Sequence, residues 1–269
     1  MNDGKLIQWY PGHMAKTKKE ISTIVNNVDI VIEVIDSRIP ASSRIPDLAK
    51  ITHNKKTIIV FNKYKSEGNI CITTDSKNTN DYKKIIEEVK NQMISVNEKR
   101  KQKGLLPKKA KCLVVGIPNV GKSTIINRIV GKNIAGIGNK PGITKNMATI
   151  RINEYMDLVD TPGILWPKFE DQNLALNLAS MTAIKEEILT IEAVAVHILR
   201  MLSKYYKNIL KDNFGIEEYN DDELEECFTH ISKFKNIPVN GEVDYEKVSV
   251  LIINMIKQEK IKGITFDRM

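Results

Sequence analysis

The segment Gly116–Ser123 has the residue types and spacing that bind the phosphates of a nucleotide. It reads Gly-Ile-Pro-Asn-Val-Gly-Lys-Ser, which matches the pattern GxxxxGK(S/T), and it follows an apolar stretch at Lys111–Val115. In such a loop the backbone N–H groups surround phosphate oxygens, and the following helix contributes a favourable dipole. Lys122 is expected to reach the β- and γ-phosphates, and the Ser123 hydroxyl to bind Mg²⁺. The nucleotide-binding residues predicted in this segment are Asn119, Val120, Gly121, Lys122, Ser123 and Thr124.

Two later segments supply the remaining groups that a nucleotide triphosphate and its metal ion need. Asp160-Thr161-Pro162-Gly163 ends an apolar stretch, so we expect Asp160 to hold Mg²⁺ through water and the Gly163 N–H to contact the γ-phosphate. Thr144 closes a glycine-rich stretch at 136–144 and is a candidate switch residue that completes the Mg²⁺ shell. The alternative is that Thr144 is an ordinary loop threonine.

The order of the motifs along the chain is inverted relative to ordinary GTPases. Asn62-Lys63 resembles the Asn-Lys of a guanine-recognition motif, and it precedes the phosphate loop instead of following it. If both assignments hold, the nucleotide domain is circularly permuted.

The base-recognition motif also departs from its usual form, Asn-Lys-x-Asp. The chain has Lys65 where the aspartate is expected, and lysine offers only donors to the N1–H and amino group of guanine. Two lost charge-assisted hydrogen bonds of about 1.5–3 kcal/mol each weaken guanine preference by roughly two or more orders of magnitude, unless Glu67 or Asp75 substitutes. Ser76 is the next candidate base contact, by weak similarity.

The elements that must position these groups alternate between strands and helices over the first two thirds of the chain. A helix is predicted from Asp81, followed by a basic linker at 99–111 that joins the two halves of the permuted domain. Beyond Pro167 the apolar periodicity is helical, with Asp244 placed to cap the last helix. The strands are predicted at Asp29–Asp36, Thr57–Phe61, Ile70–Thr73, Lys111–Val115, Met147–Ile152 and Tyr155–Val159.

The fold class predicted from this pattern is α/β. A circularly permuted P-loop GTPase domain occupies residues 1–167, and a small all-helical domain occupies 168–269. Tyr64–Asn69 is too short for a parallel crossover, which takes about a dozen residues, so an abbreviated sheet edge is expected beside the base pocket.

Charge and composition indicate a cytoplasmic protein with a polyanionic partner. The formal charge is +13 over residues 1–165 and −5 over 166–269. We expect phosphate contacts at Lys16, Lys18 and Lys19 and in the basic linker, or on a local face of the helical domain formed by Lys204, Lys207 and Lys211. The alternative is an ordinary lysine-rich surface. The polar N-terminus, the absence of long apolar runs and three scattered cysteines favour a reducing compartment and no membrane.

The chain resembles the ribosome biogenesis GTPase A family of circularly permuted GTPases. The resemblance extends over nearly the whole chain. It implies an assembly factor that acts late on the bacterial large ribosomal subunit and whose C-terminal helical domain contacts ribosomal RNA. The motifs that carry the resemblance are Trp9–Lys16, Asp36–Pro40, Gly116–Ser123, Pro141–Thr144 and Asp160–Asp171.

The resemblance also implies roles for single residues. Ile164 stands where Ras-like enzymes carry the glutamine that orients the attacking water, so intrinsic hydrolysis is expected to be slow. His13 is a candidate catalytic residue, with Thr144 and Gly163; the alternative for His13 is a structural role. Asn119 resembles the asparagine that coordinates K⁺ in potassium-activated GTPases.

We therefore expect a monomeric GTPase that uses GTP/GDP, Mg²⁺ and K⁺ as a switch on the large ribosomal subunit and its rRNA. One alternative is an RNA-binding assembly scaffold with degenerate base recognition and little or no turnover. Another alternative is a P-loop ATPase or nucleotide kinase, because Lys65 stands where a guanine-reading aspartate is expected.

Overall fold

The structure, a computed structural model, describes residues 12–62, 71–74, 81–132, 147–166, 171–184, 189–238 and 242–267. The described residues form two compact units, 12–166 and 171–267. The domain boundary predicted after residue 167 lies outside the described residues. No helix in the described ranges is long and apolar enough to cross a membrane.

The first unit contains a six-stranded sheet with the order β3-β2-β1-β4-β6-β5. β5 is antiparallel to β6, and all other neighbours are parallel. Every residue of β1 is buried, as expected for a strand in a parallel sheet that is covered on both faces. The strands are β1 Ile30–Asp36, β2 Lys56–Asn62, β3 Cys71–Thr74, β4 Ala110–Val115, β5 Ala148–Arg151 and β6 Met156–Asp160. The α/β prediction and the predicted strands are confirmed, with ends shifted by at most one residue.

The strand order brings together groups that are far apart in the sequence. β1 lies between β2, which ends at Asn62, and β4, which leads into Gly116–Ser123. Because β1, β2, β3, β4 and β6 are parallel, their carboxyl ends lie at one edge of the sheet, where ligands bind in open α/β folds. The inverted order of the motifs therefore still yields a single site.

The sheet edge next to Asn62 is short. β3 has four residues, and only eight residues separate its first residue from the end of β2. β3 is nevertheless parallel to β2, with Asn62 in register with Thr74. A connection of this length agrees with the abbreviated edge that the sequence predicts.

Four helices accompany the sheet: α1 Gly12–Ile24, α2 Leu48–Ile51, α3 Asp81–Gln102 and α4 Lys122–Val130. α3 buries the face predicted for it, including Tyr82, Ile85 and Val89. It also continues through Gln102, so the prediction that the linker begins at Lys99 is wrong: the basic residues 99–101 form the last helical turn. Cationic side chains there complement the negative end of the helix dipole, which favours helix over linker.

One apolar cluster fixes α1 and α2 against the sheet. It combines Ile21 of α1 and Leu48 of α2 with residues of β1, β4 and β6, among them Val31, Leu113 and Val159. Burial of this many branched side chains stabilises the position of the strand ends.

The second unit consists of helices only among its described residues. Asp244 Oδ1 accepts a hydrogen bond from Lys247 N at 3.0 Å, so the predicted cap of α9 is confirmed. Thr190 caps α6 in the same way, through Ala193 N. The helices are α5 Gln172–Ser180, α6 Ile191–Tyr205, α7 Lys207–Phe214, α8 Leu224–Phe234 and α9 Tyr245–Lys257.

A buried histidine joins α5, α6 and the C-terminal segment. His197 Nε2 lies 2.8 Å from Asn177 Oδ1, and Asn177 Nδ2 donates to Asp267 Oδ1 at 3.2 Å. Because the amide oxygen can only accept, Nε2 carries the ring proton. Burial, with a contribution from Arg200, lowers the pKa of His197 to about 4.

We predict that acidification destabilises the second unit through His197. The unfolded histidine takes up a proton near pH 6.5 and the folded one only near pH 4, so stability falls as the pH drops through this window, by about 3 kcal/mol in total. The measurement is urea unfolding of the full chain at several pH values, for the native chain and for His197→Gln. His230→Gln, which removes an exposed histidine, serves as the control. If the free energy of unfolding depends on pH equally in the native chain and in His197→Gln, His197 is not the group that causes the acid destabilisation.

Candidate nucleotide-binding site

The phosphate loop connects β4 to α4 and holds the Lys122 ammonium close to its own backbone. Lys122 Nζ donates to the carbonyl oxygens of Gly116 at 3.0 Å and Ile117 at 2.9 Å. The loop passes through left-handed conformations at Asn119, with φ 57°, and Gly121, with φ 96°. These bonds curl the loop around the lysine, whose side chain is buried. Burial lowers the pKa of Lys122 to about 8, although the Asp160 carboxylate acts in the opposite direction.

Glycines are required at this site because other backbone lies very close. A Cβ on Gly116 would lie 2.5 Å from the Val34 carbonyl oxygen, and one on Gly163 would lie 2.6 Å from Pro118 Cα. The second contact brings the Asp160–Gly163 segment directly onto the phosphate loop, where Ile164 N also donates to Gly116 O at 3.1 Å. The structure therefore unites two motifs that the sequence assigns to the same phosphates.

Asn62 connects three elements at the carboxyl edge of the sheet. Its Nδ2 donates to the Val120 carbonyl oxygen at 2.8 Å, and its Oδ1 accepts from Thr74 Oγ1 at 3.4 Å. Ser37 Oγ donates to the Asn62 carbonyl oxygen at 2.8 Å. Thr74 and Ser37 were not predicted as site residues. The available signal was their position at or just after the ends of β3 and β1, the strands on either side of β2.

Asp160 presents a carboxylate oxygen that is suited to a metal ion. The residue is buried, and its Oδ1 has no hydrogen-bond partner among the described residues. Burial raises the pKa of Asp160, while the Lys122 ammonium and a hydrogen bond from the Thr161 backbone counteract it. An unsatisfied buried carboxylate oxygen is costly on its own and is satisfied by a hydrated cation. Ser123 and Thr124 are half-buried in the first turn of α4, as the nucleotide-binding prediction requires.

The side chain of Ile164 is part of the apolar core of the first unit. It is buried in the apolar cluster that contains Ile21, Val31 and Leu113. An aliphatic side chain packed in the core cannot hydrogen-bond to an attacking water.

A buried ion pair lies at the end of β1, beside the Asn62 junction. Arg38 Nε and Nη2 donate to the two carboxylate oxygens of Asp36 at 2.9 and 2.6 Å, and Arg38 N donates to Oδ1 at 3.0 Å. Ser43 Oγ accepts from Asp36 N at 3.0 Å. Bidentate pairing of this kind fixes the turn after β1. Sequence reasoning treated this segment only as a family motif.

Several predicted site residues lie outside the described residues: Lys63, Lys65, Glu67, Asp75, Ser76 and Thr144. His13 lies in the first turn of α1, and its side chain is likewise outside the described part of the structure. Their assigned roles remain predictions.

A glycine-rich loop between a parallel strand and a helix, a buried lysine and a buried aspartate beside it together define a P-loop nucleotide-binding protein. Residues 111–237 match the family described as 50S ribosome-binding GTPase. Ribosome biogenesis GTPase A of Bacillus licheniformis is 38% identical over 98% of this chain and 98% of its own length. The protein of that name from Bacillus cereus is 37% identical over 97% of this chain and 94% of its own.

The chain therefore belongs to the ribosome biogenesis GTPase A family, as the sequence motifs indicate, and it is a GTPase. This decides against the ATPase or nucleotide kinase alternative. The crystal structure of GNP-bound YlqF from Thermotoga maritima has the same fold, with a TM-score of 0.62 and 23% identity, over 94% of this chain and 98% of the other.

We predict that Lys122→Ala abolishes tight nucleotide binding. The substitution removes the buried ammonium expected to contact phosphate oxygens, together with its hydrogen bonds to the Gly116 and Ile117 carbonyl groups. The measurement is titration of a fluorescent GDP analogue in the presence of Mg²⁺. Lys132→Ala, which removes an exposed lysine just after α4, is the matched control. Retained affinity in Lys122→Ala would refute the assignment of the phosphate site.

Proposed function

We propose that the protein is a GTP-dependent assembly factor that binds the maturing large ribosomal subunit and leaves it after hydrolysis. The observation that carries this proposal is a phosphate loop with a buried lysine, combined with a core-packed isoleucine where Ras-like enzymes have a catalytic glutamine. A site that binds GTP but lacks a residue to orient water needs a partner for turnover. The names of the relatives and of the matching family point to the ribosome as that partner.

Ser123, Thr144 and Asp160 are proposed to hold Mg²⁺. The unsatisfied Asp160 Oδ1 supports this assignment. A Mg²⁺ ion bound there would neutralise negative charge on the β- and γ-phosphate oxygens. Asn119 is proposed to hold K⁺, since its left-handed backbone places an amide residue in the middle of the phosphate loop. Thr144 and the Gly163 N–H are proposed to sense the γ-phosphate, and His13 to assist hydrolysis on the subunit.

The distribution of charge favours the first unit as the main contact with ribosomal RNA. In the second unit, Lys207 and Lys211 form ion pairs with Glu218 at 3.2 Å and Glu217 at 2.6 Å. Two of the three lysines proposed for a basic face on that unit are therefore neutralised. Lys18 and Lys19 are exposed on α1, and neither has an acidic partner within ion-pair distance among the described residues. We propose that these lysines contact RNA phosphates, and that the protein acts as a monomer in the cytoplasm.

A second candidate function is an assembly scaffold with little or no turnover. Lys65 in place of the expected aspartate is the observation that favours it. The two functions differ in base selectivity and in the response of hydrolysis to the ribosomal subunit.

We predict that the protein prefers guanine nucleotides in spite of Lys65, because it belongs to a family of GTPases. The measurement is competition of GTP, GDP, ATP and XTP for the site, with Mg²⁺ and K⁺ present. A preference for guanine means that another group has replaced the missing aspartate. Equal affinity for all four nucleotides would favour the scaffold function. Addition of large subunits would then distinguish the two functions, because the scaffold function predicts that the subunits do not stimulate phosphate release.

We predict that Lys18→Glu combined with Lys19→Glu weakens binding to large subunits and flattens its salt dependence. Each phosphate contact steepens the dependence of log affinity on log salt by about 0.9 for a duplex and about 0.7 for a single strand. The measurement is co-sedimentation with purified subunits over a range of KCl concentrations. Lys83→Glu combined with Lys132→Glu, at two exposed lysines elsewhere on the first unit, changes the net charge by the same amount and serves as the control. An unchanged salt slope in the double variant would place the RNA contacts elsewhere.

A further inference from the structure

The surface of the first unit contains a groove between the second half of α3, the segment 103–109 that leads to β4, and the turn between β5 and β6. Its volume is about 810 Å³, and its walls are largely apolar. The apolar lining residues are Met93, Ile94, Leu105, Pro107 and Tyr155. We call this feature the α3 groove.

Exposed apolar side chains concentrate at the α3 groove. Among the lining residues, Ile94 is 52% exposed, Leu105 50% and Tyr155 44%; Leu106, next to Leu105 in the chain but outside the lining, is 83% exposed. The described residues of the first unit contain one other large apolar side chain that is comparably exposed, Val96, also on α3. A clustered apolar surface with a polar rim is typical of an interaction site, whereas single exposed apolar residues are common and carry no such meaning.

The protein backbone holds these side chains outward by specific hydrogen bonds. α3 ends in a Schellman motif, in which Gly104 N donates to Lys101 O at 2.9 Å and Leu105 N to Arg100 O at 3.0 Å. Gly104 has φ 67°, a left-handed conformation that glycine adopts at no steric cost.

Two side chains of α3 fix the rest of the segment. Arg100 Nε donates to Leu106 O at 2.9 Å, and Asn97 Oδ1 accepts from Lys108 N at 2.7 Å. The segment is therefore ordered while its two leucines remain exposed. A preorganised apolar surface of this kind lowers the entropic cost of binding a partner.

The charged side chains around the α3 groove indicate which kind of partner binds there. Lys99, Lys101 and Lys103 lie at the end of α3, and none of them has an acidic partner within ion-pair distance in the described part of the chain. These cations favour a partner with carboxylates or phosphates at this end.

The lining itself distinguishes between these two kinds of anion. Tyr155 is the one aromatic residue in the lining, and Lys90 Nζ lies 3.6 Å from its ring centroid, so a stacked base would compete with this cation. Glu98 and Glu154 also line the groove, so a phosphate backbone, which carries a charge at every nucleotide, would be repelled along it, whereas a polypeptide can place its carboxylates at the lysine end alone. Aliphatic walls instead fit aliphatic side chains.

We propose that the α3 groove binds a polypeptide segment of a partner protein that carries two or more large apolar side chains with carboxylates beside them. The apolar side chains occupy the space against Ile94 and Leu105, and the carboxylates meet Lys99, Lys101 and Lys103. This binding is separate from the nucleotide site, and it does not depend on the proposed ribosomal partner.

The test is selection of random short peptides displayed on phage against the full-length, GDP-loaded protein. We expect enrichment of peptides that combine large apolar residues with Asp or Glu. A synthetic peptide of the enriched sequence is then titrated against variants. Leu105→Asp and Lys101→Glu are each expected to weaken its binding about tenfold, because both replace a favourable contact by a repulsive one. All variants are expected to retain GDP binding, which verifies that they are folded.

Matched controls separate the groove from general surface effects. Val250→Asp alters an exposed apolar residue of the second unit, and Lys83→Glu reverses a charge near the other end of α3. Both are expected to leave peptide affinity unchanged. The proposal would be overturned if no peptides are enriched or if the enriched peptides are basic. It would also be overturned if the synthetic peptide binds the Leu105→Asp and Val250→Asp variants with equal affinity.

Two other occupants are distinguished in the same set of experiments. If a mixed-sequence single-stranded RNA binds the native protein and loses affinity in Leu105→Asp, the groove takes nucleic acid and the proposal is wrong. If light scattering shows a concentration-dependent dimer that Leu105→Asp dissociates, the groove takes a second copy of the chain, which also overturns it.

Discussion

The buried charges at the carboxyl edge of the sheet determine how the rest of the first unit is built. Lys122 and Asp160 are both removed from water, and burial opposes the charged form of each. The lysine is satisfied by two backbone carbonyl groups, but Oδ1 of the aspartate has no hydrogen-bond partner in the part of the chain that the structure describes. The site is thus arranged for a ligand that brings both negative charge and a cation. A nucleotide with its metal ion meets both requirements.

Circular permutation changes the connections of the sheet and leaves the positions of the reacting groups in place. Asn62 precedes the phosphate loop by more than fifty residues, and yet its amide holds the Val120 carbonyl group directly. Parallel pairing across β2, β1 and β4 makes this possible, because each strand delivers its last residue to the same edge. The order of the motifs along the chain therefore has little effect on the site, whereas the order of the strands in the sheet determines which groups meet there.

The sequence predicted the strands and the phosphate loop because their signals are local. β1 and β4 are predominantly apolar, and the GxxxxGK(S/T) pattern fixes the loop between β4 and α4. Contacts between distant segments carry no such signal. The Thr74 bond to Asn62 and the approach of Gly163 to Pro118 depend on strand order and register. The end of α3 was misjudged for a different reason: a run of lysine and arginine resembles a linker, but it also suits the last turn of a helix.

The segment after α3 illustrates how a connection created by permutation can acquire a surface of its own. It joins the half that contains Asn62 to the half that contains the phosphate loop, and a flexible linker would be sufficient for this purpose. Instead, Asn97 and Arg100 fix its backbone, and Lys108 forms an ion pair with Asp29 next to β1. Ordering a connection costs conformational entropy, and exposing Leu105 and Leu106 adds no compensating burial. An ordered, apolar and cationic connection is therefore better explained by binding than by folding.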